Sequence, residues 1–301
     1  MDRKGFVLRG VCWAAGLAAL AGCRLHRGAE PAPRSLVLCR QLSQQGLRAL
    51  ERNDLPRAEA LLAEAVAACP VDAEARRHYA AALWQRKKHD AALTQLDEAV
   101  RLSSDDSRLL AEAAEKRLYL GQEREARDLA ERAIDLDPKN AAAWVVRGRV
   151  RRRLGMSQEA LADFHRALGL EPDHRECMSE IAEVYGRLRR PQQALAMLQL
   201  LCDTYPPGEE PQDVLYRTGL AYVAVERPTD AVEYLNAAAQ RGPPTPELLF
   251  HLADAELRAG RRDDARAAAR QALEIEPGHA PSLALLQHID LARRPGGNSN
   301  Q

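Results

Sequence analysis

The sequence predicts an all-α fold, a solenoid of stacked helix hairpins. Three observations predict it. Ala58, Ala92, Ala126, Ala160 and Ala194 stand 34 residues apart, Ala231 follows after 37, and Ala265 after another 34. Pro70, Pro138, Pro172, Pro206, Pro243 and Pro277 recur in the same phase, with Ser104 in the remaining place. Aromatics make up only 4 % of the 301 residues; alanine, leucine, arginine and glutamate dominate, and alanine and leucine are strong helix formers. A fixed period of this length means one supersecondary unit stacked on copies of itself. Such a stack is mostly surface for holding something else. Lys+Arg and Asp+Glu are both 43, so the formal net charge is zero. Nucleic acid is therefore not expected as a partner, since it favours a basic domain.

The first element is a targeting segment over residues 1–22. Arg3, Lys4 and Arg9 precede an apolar run from Val11 to Ala21. That run is too short to span a bilayer comfortably and has the layout of a secretory signal. It ends in Leu20-Ala21-Gly22-Cys23, which resembles the lipobox of bacterial lipoproteins. The resemblance implies cleavage before Cys23 and acylation of that cysteine, giving more than one anchor chain and hence stable membrane attachment. The alternatives are an uncleaved helix and a signal peptide cut elsewhere, with Cys23 an ordinary small residue. Arg24 stands where an aspartate favours inner-membrane retention in familiar Gram-negative systems. The expected location is therefore the cell envelope, with the outer membrane facing the periplasm favoured over the inner membrane. Residues 23–38 are expected to form the lipidated N-terminus and a flexible tether, because prolines, a glycine and charges follow one another there without a helical period.

Counting in 34s from Cys39 gives repeats 39–72, 73–106, 107–140, 141–174 and 175–208; after an insertion at 209–211 they resume at 212–245 and 246–279. Position 8 is always Gly or Ala: Gly46, Ala80, Ala114, Gly148, Ala182, Gly219 and Ala253. Position 27 is alanine except at Leu201. Trp144, Phe164, Tyr185 and Tyr222 occupy large-residue positions. The pattern resembles the tetratricopeptide repeat, with a large residue at 4, small ones at 8, 20 and 27, aromatics at 11 and 24, and proline at 32. Arg117 and Arg151 break it at position 11.

The columns have a physical cause. Small residues at 8 and 20 let two antiparallel helices approach, and the one at 27 makes room for the next repeat. Proline at 32 stops the second helix. Gly121, Gly155 and Gly260 fall between the two helices, where a left-handed turn is cheap for glycine. Pro191 and Pro228 suit the first turn of a second helix. After the last repeat, residues 280–293 read as a capping helix with Leu283, Leu285, Leu286, Ile289 and Leu291 as its apolar set. The tail 294–301 is expected to be disordered. The resemblance implies a right-handed superhelix of about seven repeats.

No catalytic or metal site is predicted. The histidines form no HExxH pair or zinc-type cluster, and there is no phosphate loop or G-x-S-x-G turn. No cofactor, no small-molecule substrate and no enzyme activity is expected. Cys39 and Cys177 fall at the start of a first helix, and Cys69 and Cys202 near the end of its partner, so that in an antiparallel hairpin Cys39 could face Cys69 and Cys177 could face Cys202. Each pair reads either as a disulfide, which an exported compartment permits, or as buried thiols.

In the tetratricopeptide family, positions 2, 5, 9, 12 and 13 of the first helix line a concave groove. That resemblance assigns Arg149, Arg152, Arg153 and Arg187 to the groove, where guanidinium forks suit carboxylates. The other reading is a solvated face. Tyr216, Phe250, Trp84 and Tyr119 hold groove positions too, as anchors for a partner's apolar side chains or as packing between helices. The function expected is a membrane-anchored scaffold that binds a protein or peptide segment, acidic in character, and helps to assemble a bacterial envelope complex. The alternatives are a non-catalytic subunit of an envelope enzyme and a cell-wall or polysaccharide-binding module.

Overall fold

The computed structural model describes residues 34–104 and 106–291. The signal, the lipobox at Leu20–Cys23, residues 24–33 of the tether, residues 292–293 and the tail lie outside them. Every element among the described residues is helical. The first helices of the seven hairpins are α1 (Arg34–Glu51), α3 (Ala73–Gln85), α5 (Ser107–Tyr119), α7 (Ala141–Arg153), α9 (Arg175–Arg187), α11 (Gln212–Ala224) and α13 (Pro246–Arg258). Their partners are α2 (Leu55–Ala68), α4 (His89–Leu102), α6 (Glu123–Leu136), α8 (Ser157–Leu170), α10 (Pro191–Asp203), α12 (Pro228–Arg241) and α14 (Arg262–Ile275), and α15 (Ala280–Leu291) follows. Each hairpin packs internally, and each second helix packs on the first helix of the next repeat. Among the described residues no helix is long and apolar enough to cross a membrane.

Local chemistry sets the ends of the helices. The residue before most first helices is a cap whose side chain accepts from an otherwise orphan backbone N–H. Asp72 accepts from Ala75 at 3.1 Å, Asn140 from Ala143 at 3.2 Å, and Thr245 from Leu248 at 3.2 Å. The turn inside each hairpin passes through the left-handed region. Asn53, Lys87, Arg189 and Glu226 sit there with φ between 55° and 60°, in the places that Gly121, Gly155 and Gly260 hold in the other repeats at φ 75–81°. The turn is thus a property of the period, and glycine is only its cheapest occupant.

The core is a chain of linked clusters, as expected where each unit touches only its neighbours. The alanines of the 34-residue series are all buried. In three repeats position 8 is a glycine opposite a large residue at 24, whereas Ala80 and Ala182 pack in the same clusters as Leu96 and Leu198. A Cβ on Gly46, Gly148 or Gly219 would stand 2.5–2.6 Å from Leu62, Phe164 or Leu235. Where position 8 is Ala114 or Ala253, position 24 shrinks to Ala130 or Ala269, and all four are buried.

Two features depart from the expected outline. Residues 34–38, assigned to the flexible tether, are the opening turns of α1. The last tether proline is Pro33, and Arg34-Ser35-Leu36-Val37-Leu38 contains no helix breaker, so the helix runs back from the buried Cys39. The loop at 204–211 holds Pro206, Pro207, Gly208 and Pro211, and beyond it α9 and α11 stand apart. At the C-terminal end α15 covers the last hairpin: Ile289 is buried and Leu285 and Leu286 pack on the core, while Leu283 and Leu291 stay exposed.

Candidate functional site

The first helices present three chemically different zones, and the residues expected in one groove are divided among them. The middle zone is charged. Arg149 on α7 reaches three carboxylates: Glu180 at 2.8 Å, Glu176 at 3.0 Å and Glu115 at 3.3 Å. Burial works against its charge, but Glu180 and Glu176 outweigh that and hold its pKa above the ordinary guanidinium value. Arg149 therefore ties α5, α7 and α9 together. Arg152 pairs with Glu180 at 3.0 Å and with Glu183, which also takes Arg187 at 2.8 Å. Arg153 donates to the Leu118 carbonyl and lies 3.4 Å from Glu123. The arginines predicted from the sequence are thus gathered into one ladder whose carboxylates come from this chain.

Beneath the ladder lies a group that sequence reasoning missed. Asp163 on α8 is 2 % exposed. Arg147 grips it with two bonds of 3.0 and 2.8 Å, and Arg151 adds a third of 2.8 Å. Two guanidiniums on one desolvated carboxylate leave that carboxylate fully paired, which is the condition for burying its charge. Arg151 is one of the two residues that break the aromatic column, and the break is explained by this pairing. Arg117, the other, pairs with Asp97. The available signal was an acid at a core-facing position in the same repeat as the anomalous arginine.

The second zone is aromatic and lies on repeats two and three. Trp84 and Tyr119 meet edge to face with centroids 5.3 Å apart, His89 stands 4.4 Å from Trp84, and the Lys116 ammonium lies 5.0 Å over the indole. Tyr119 is 69 % exposed. Here the two readings divide by residue: Trp84 is half-buried, while Tyr119 is open to solvent.

The third zone, on repeats five to seven, is largely apolar. Tyr216 and Phe250 flank His251 at 5.9 and 5.1 Å, and Phe250 stands 6.1 Å from His279. Both are half-buried against the hairpin cores. Burial, then the Glu247 charge, raises the pKa of the Tyr216 hydroxyl. Beside them, between α9 and α11, a cleft of about 650 Å³ opens over α10. Of the residues expected in a groove, Arg187 lines it.

The cysteines are separated in part. All four among the described residues carry free thiols. Cys39 and Cys69 pack in one cluster, and burial, with Cys69 and Asp72 adding to it, pushes the Cys39 thiol up to about 11. Cys177 and Cys202 face different neighbours, which corrects the expectation that they meet across one hairpin. The Cys177 thiol donates to the Phe164 carbonyl on α8, at 3.1 Å, while Cys202 lies 3.5 Å from Thr218 on α11. Position 3 turns back to the preceding repeat and position 28 turns on to the next. Among the described residues no group of His, Cys, Asp or Glu is placed to hold a metal ion.

Comparison with known proteins agrees with this geometry. Two family models match, both described as tetratricopeptide repeat, over residues 126–276 and 43–107. No curated protein sequence matches the chain. Among solved structures it is similar to PilW, described as a widely conserved type IV pilus biogenesis factor, at TM-score 0.63 and 18 % identity, covering 70 % of this chain and 96 % of that one. It is similar to YrrB, described as a TPR protein with an unusual peptide-binding site, at 0.58 and 18 %, covering 64 % and 97 %. It is similar to PilF of Pseudomonas aeruginosa at 0.53 and 17 %, covering 86 % and 99 %. At these identities the likeness establishes the fold. With hairpins of the expected kind from Arg34 to Ile275, and one family model alone spanning half of the sequence, the chain belongs to the tetratricopeptide repeat family.

Proposed function

We propose that this chain is a membrane-anchored scaffold of the bacterial cell envelope that binds a segment of another protein and has no turnover of its own. The observation that carries the binding role is the side-chain content of the first helices. They offer an exposed tyrosine beside a half-buried tryptophan, a neutralised charged centre and an open apolar cleft on one continuous stack. That is surface for recognition, with the Arg149 charge at its centre paired within the chain. The same fold carries the peptide-binding site named for YrrB and serves the pilus biogenesis factor PilW, and we extend a role of that kind to this chain. The anchor rests on Leu20-Ala21-Gly22-Cys23, with acylated Cys23 holding the scaffold at the membrane, the outer membrane being favoured.

Two measurements test this. Cys23→Ala should abolish labelling by a palmitate analogue and move the protein from the membrane fraction to the soluble one; membrane retention without label would refute the anchor. Cross-linking in intact cells, followed by mass spectrometry, should recover one reproducible envelope partner from the wild-type chain. Recovery of none would refute the scaffold.

A further inference from the structure

The cleft between α9 and α11 is built from missing side chains. Gly186 holds position 12 of its repeat, where the other repeats carry Leu50, Trp84, Leu118, Arg152, Val223 and Leu257. Ala224 holds position 13, where the others carry Glu51, Gln85, Tyr119, Arg153, Arg187 and Arg258. Glycine inside a helix costs about 1 kcal/mol against alanine, so it usually has a packing reason. Gly186 has none: a Cβ there would meet nothing within 4 Å, and its φ is not in the left-handed region. The glycine leaves space without being needed for the backbone.

The space has a definite chemistry. Its floor and walls are Gly186, Ala194, Leu198, Leu220, Ala221 and Ala224. Its mouth carries Arg187, Arg189 and Arg217 against one carboxylate, Glu183. That carboxylate is already shared between Arg152 and Arg187. Arg217 is spent on Ser179, through the hydroxyl and the 2.9 Å bond to its carbonyl, and has no carboxylate partner among the described residues; nor has Arg189. The mouth is therefore cationic and the interior apolar.

We propose that this inter-repeat cleft seats a leucine-sized aliphatic side chain of a partner segment whose neighbouring residues are acidic. The proposal rests on the interaction reading above and names the chemistry of the segment bound. The apolar side chain fills the void that Gly186 and Ala224 leave, and the flanking carboxylates meet Arg189 and Arg217. Shape comes from the cleft and sequence selection from the arginine rim.

The probe is a synthetic peptide, acetylated, amidated and fluorescein-labelled, with the sequence Ser-Glu-Glu-Leu-Leu-Glu-Glu-Ser, titrated against the purified chain. Its counterpart carries alanines in place of the leucines. Burying one leucine side chain corresponds to tenfold or more in affinity, so the leucine peptide should bind the wild type at least ~10-fold tighter than the alanine peptide. Gly186→Leu and, independently, Ala224→Leu should erase that preference without lowering the thermal midpoint. Arg189→Glu should weaken the leucine peptide about tenfold and flatten its salt dependence, as expected for a lost charge pair. Equal binding of the two peptides by the wild type would overturn the proposal, as would a preference that survives both filling variants. Self-association in sedimentation that Gly186→Leu abolishes, with no peptide bound, would assign the cleft to a second copy and also overturn it. The scaffold reading is decided separately by cross-linking in cells. A Gly186→Leu chain that still captures the wild-type partner at full yield would remove the cleft and leave the scaffold standing.

Discussion

Substituting Gly148 by alanine should destabilise the protein, and removing the ring opposite should reverse the sign of that effect. The Cβ of the variant would stand 2.6, 2.8 and 3.1 Å from the Cε1, Cδ1 and Cζ atoms of Phe164. Phe164 is 0 % exposed, so the ring cannot swing into solvent. Overpacking a core by one carbon costs about 1–3 kcal/mol, and replacing a mid-helix glycine returns about 1 kcal/mol of helix propensity. The net loss should be ~0–2 kcal/mol. In a Phe164→Ala background, itself down by ~3–5 kcal/mol, the clash is gone and Gly148→Ala should gain ~1 kcal/mol. The double-mutant cycle should therefore give a coupling of about 1–3 kcal/mol, the overpacking cost itself. Elsewhere in the chain small meets small in Ala114 with Ala130 and Ala253 with Ala269, while Ala80 and Ala182 coexist with Leu96 and Leu198, so the clash belongs to the way the Phe164 ring lies on Gly148. Urea denaturation of the four proteins, followed by circular dichroism and fitted together, measures it. If Gly148→Ala stabilised both backgrounds equally, the reading that the Phe164 ring excludes a Cβ at position 148 would be wrong.

Three further outcomes are expected. Asp163→Ala should cost about 3–5 kcal/mol, because it leaves Arg147 and Arg151 desolvated without their carboxylate, and the triple variant Asp163→Leu, Arg147→Met and Arg151→Met should recover most of it; chemical denaturation checks both. Lys87→Gly and Glu226→Gly should each stabilise by ~0.5–1 kcal/mol by relieving a left-handed residue, whereas Gly155→Ala should lose about as much, as read from thermal midpoints. Glu256 is 6 % exposed, its Oε2 lacks a hydrogen-bond partner, and burial, aided by the Asp264 charge, raises its pKa above 4.5. The folded chain then holds that proton more tightly than the unfolded chain, so this group's contribution to stability is largest below about pH 4.5 and is lost as pH rises through the raised value. Glu256→Gln should raise the midpoint at pH 7 and flatten the pH profile above 4.5; an unchanged profile would show that the carboxyl is not desolvated.

The period was legible because it is written in residues that packing cannot vary. Ala58 and its series must be small for helices to touch, and a proline such as Pro138 must end a helix. Less visible were features that depend on partners one repeat away. The arginines from Arg147 to Arg153 stand out in the sequence, but Glu115, Glu176 and Glu180, which neutralise Arg149, lie 27–34 residues off. The left-handed turn was read only where glycine marked it; Lys87, Arg189 and Glu226 hide it, because the hairpin around them is strong enough to impose an unfavourable φ. The cleft was written in two absences, at Gly186 and Ala224. Absences show only when each repeat is compared with the others, position by position.

The Arg149 ladder also makes the stack mechanically uneven. Repeats three, four and five are riveted across their first helices by ion pairs, whereas the next junction rests on the apolar packing of α10 against α11, with Arg217 reaching Ser179 beside it. Salt screens charge pairs and leaves apolar contacts in place. Raising the ionic strength should therefore loosen the middle of the stack first and leave the far repeats, with α15 on their end, joined as before.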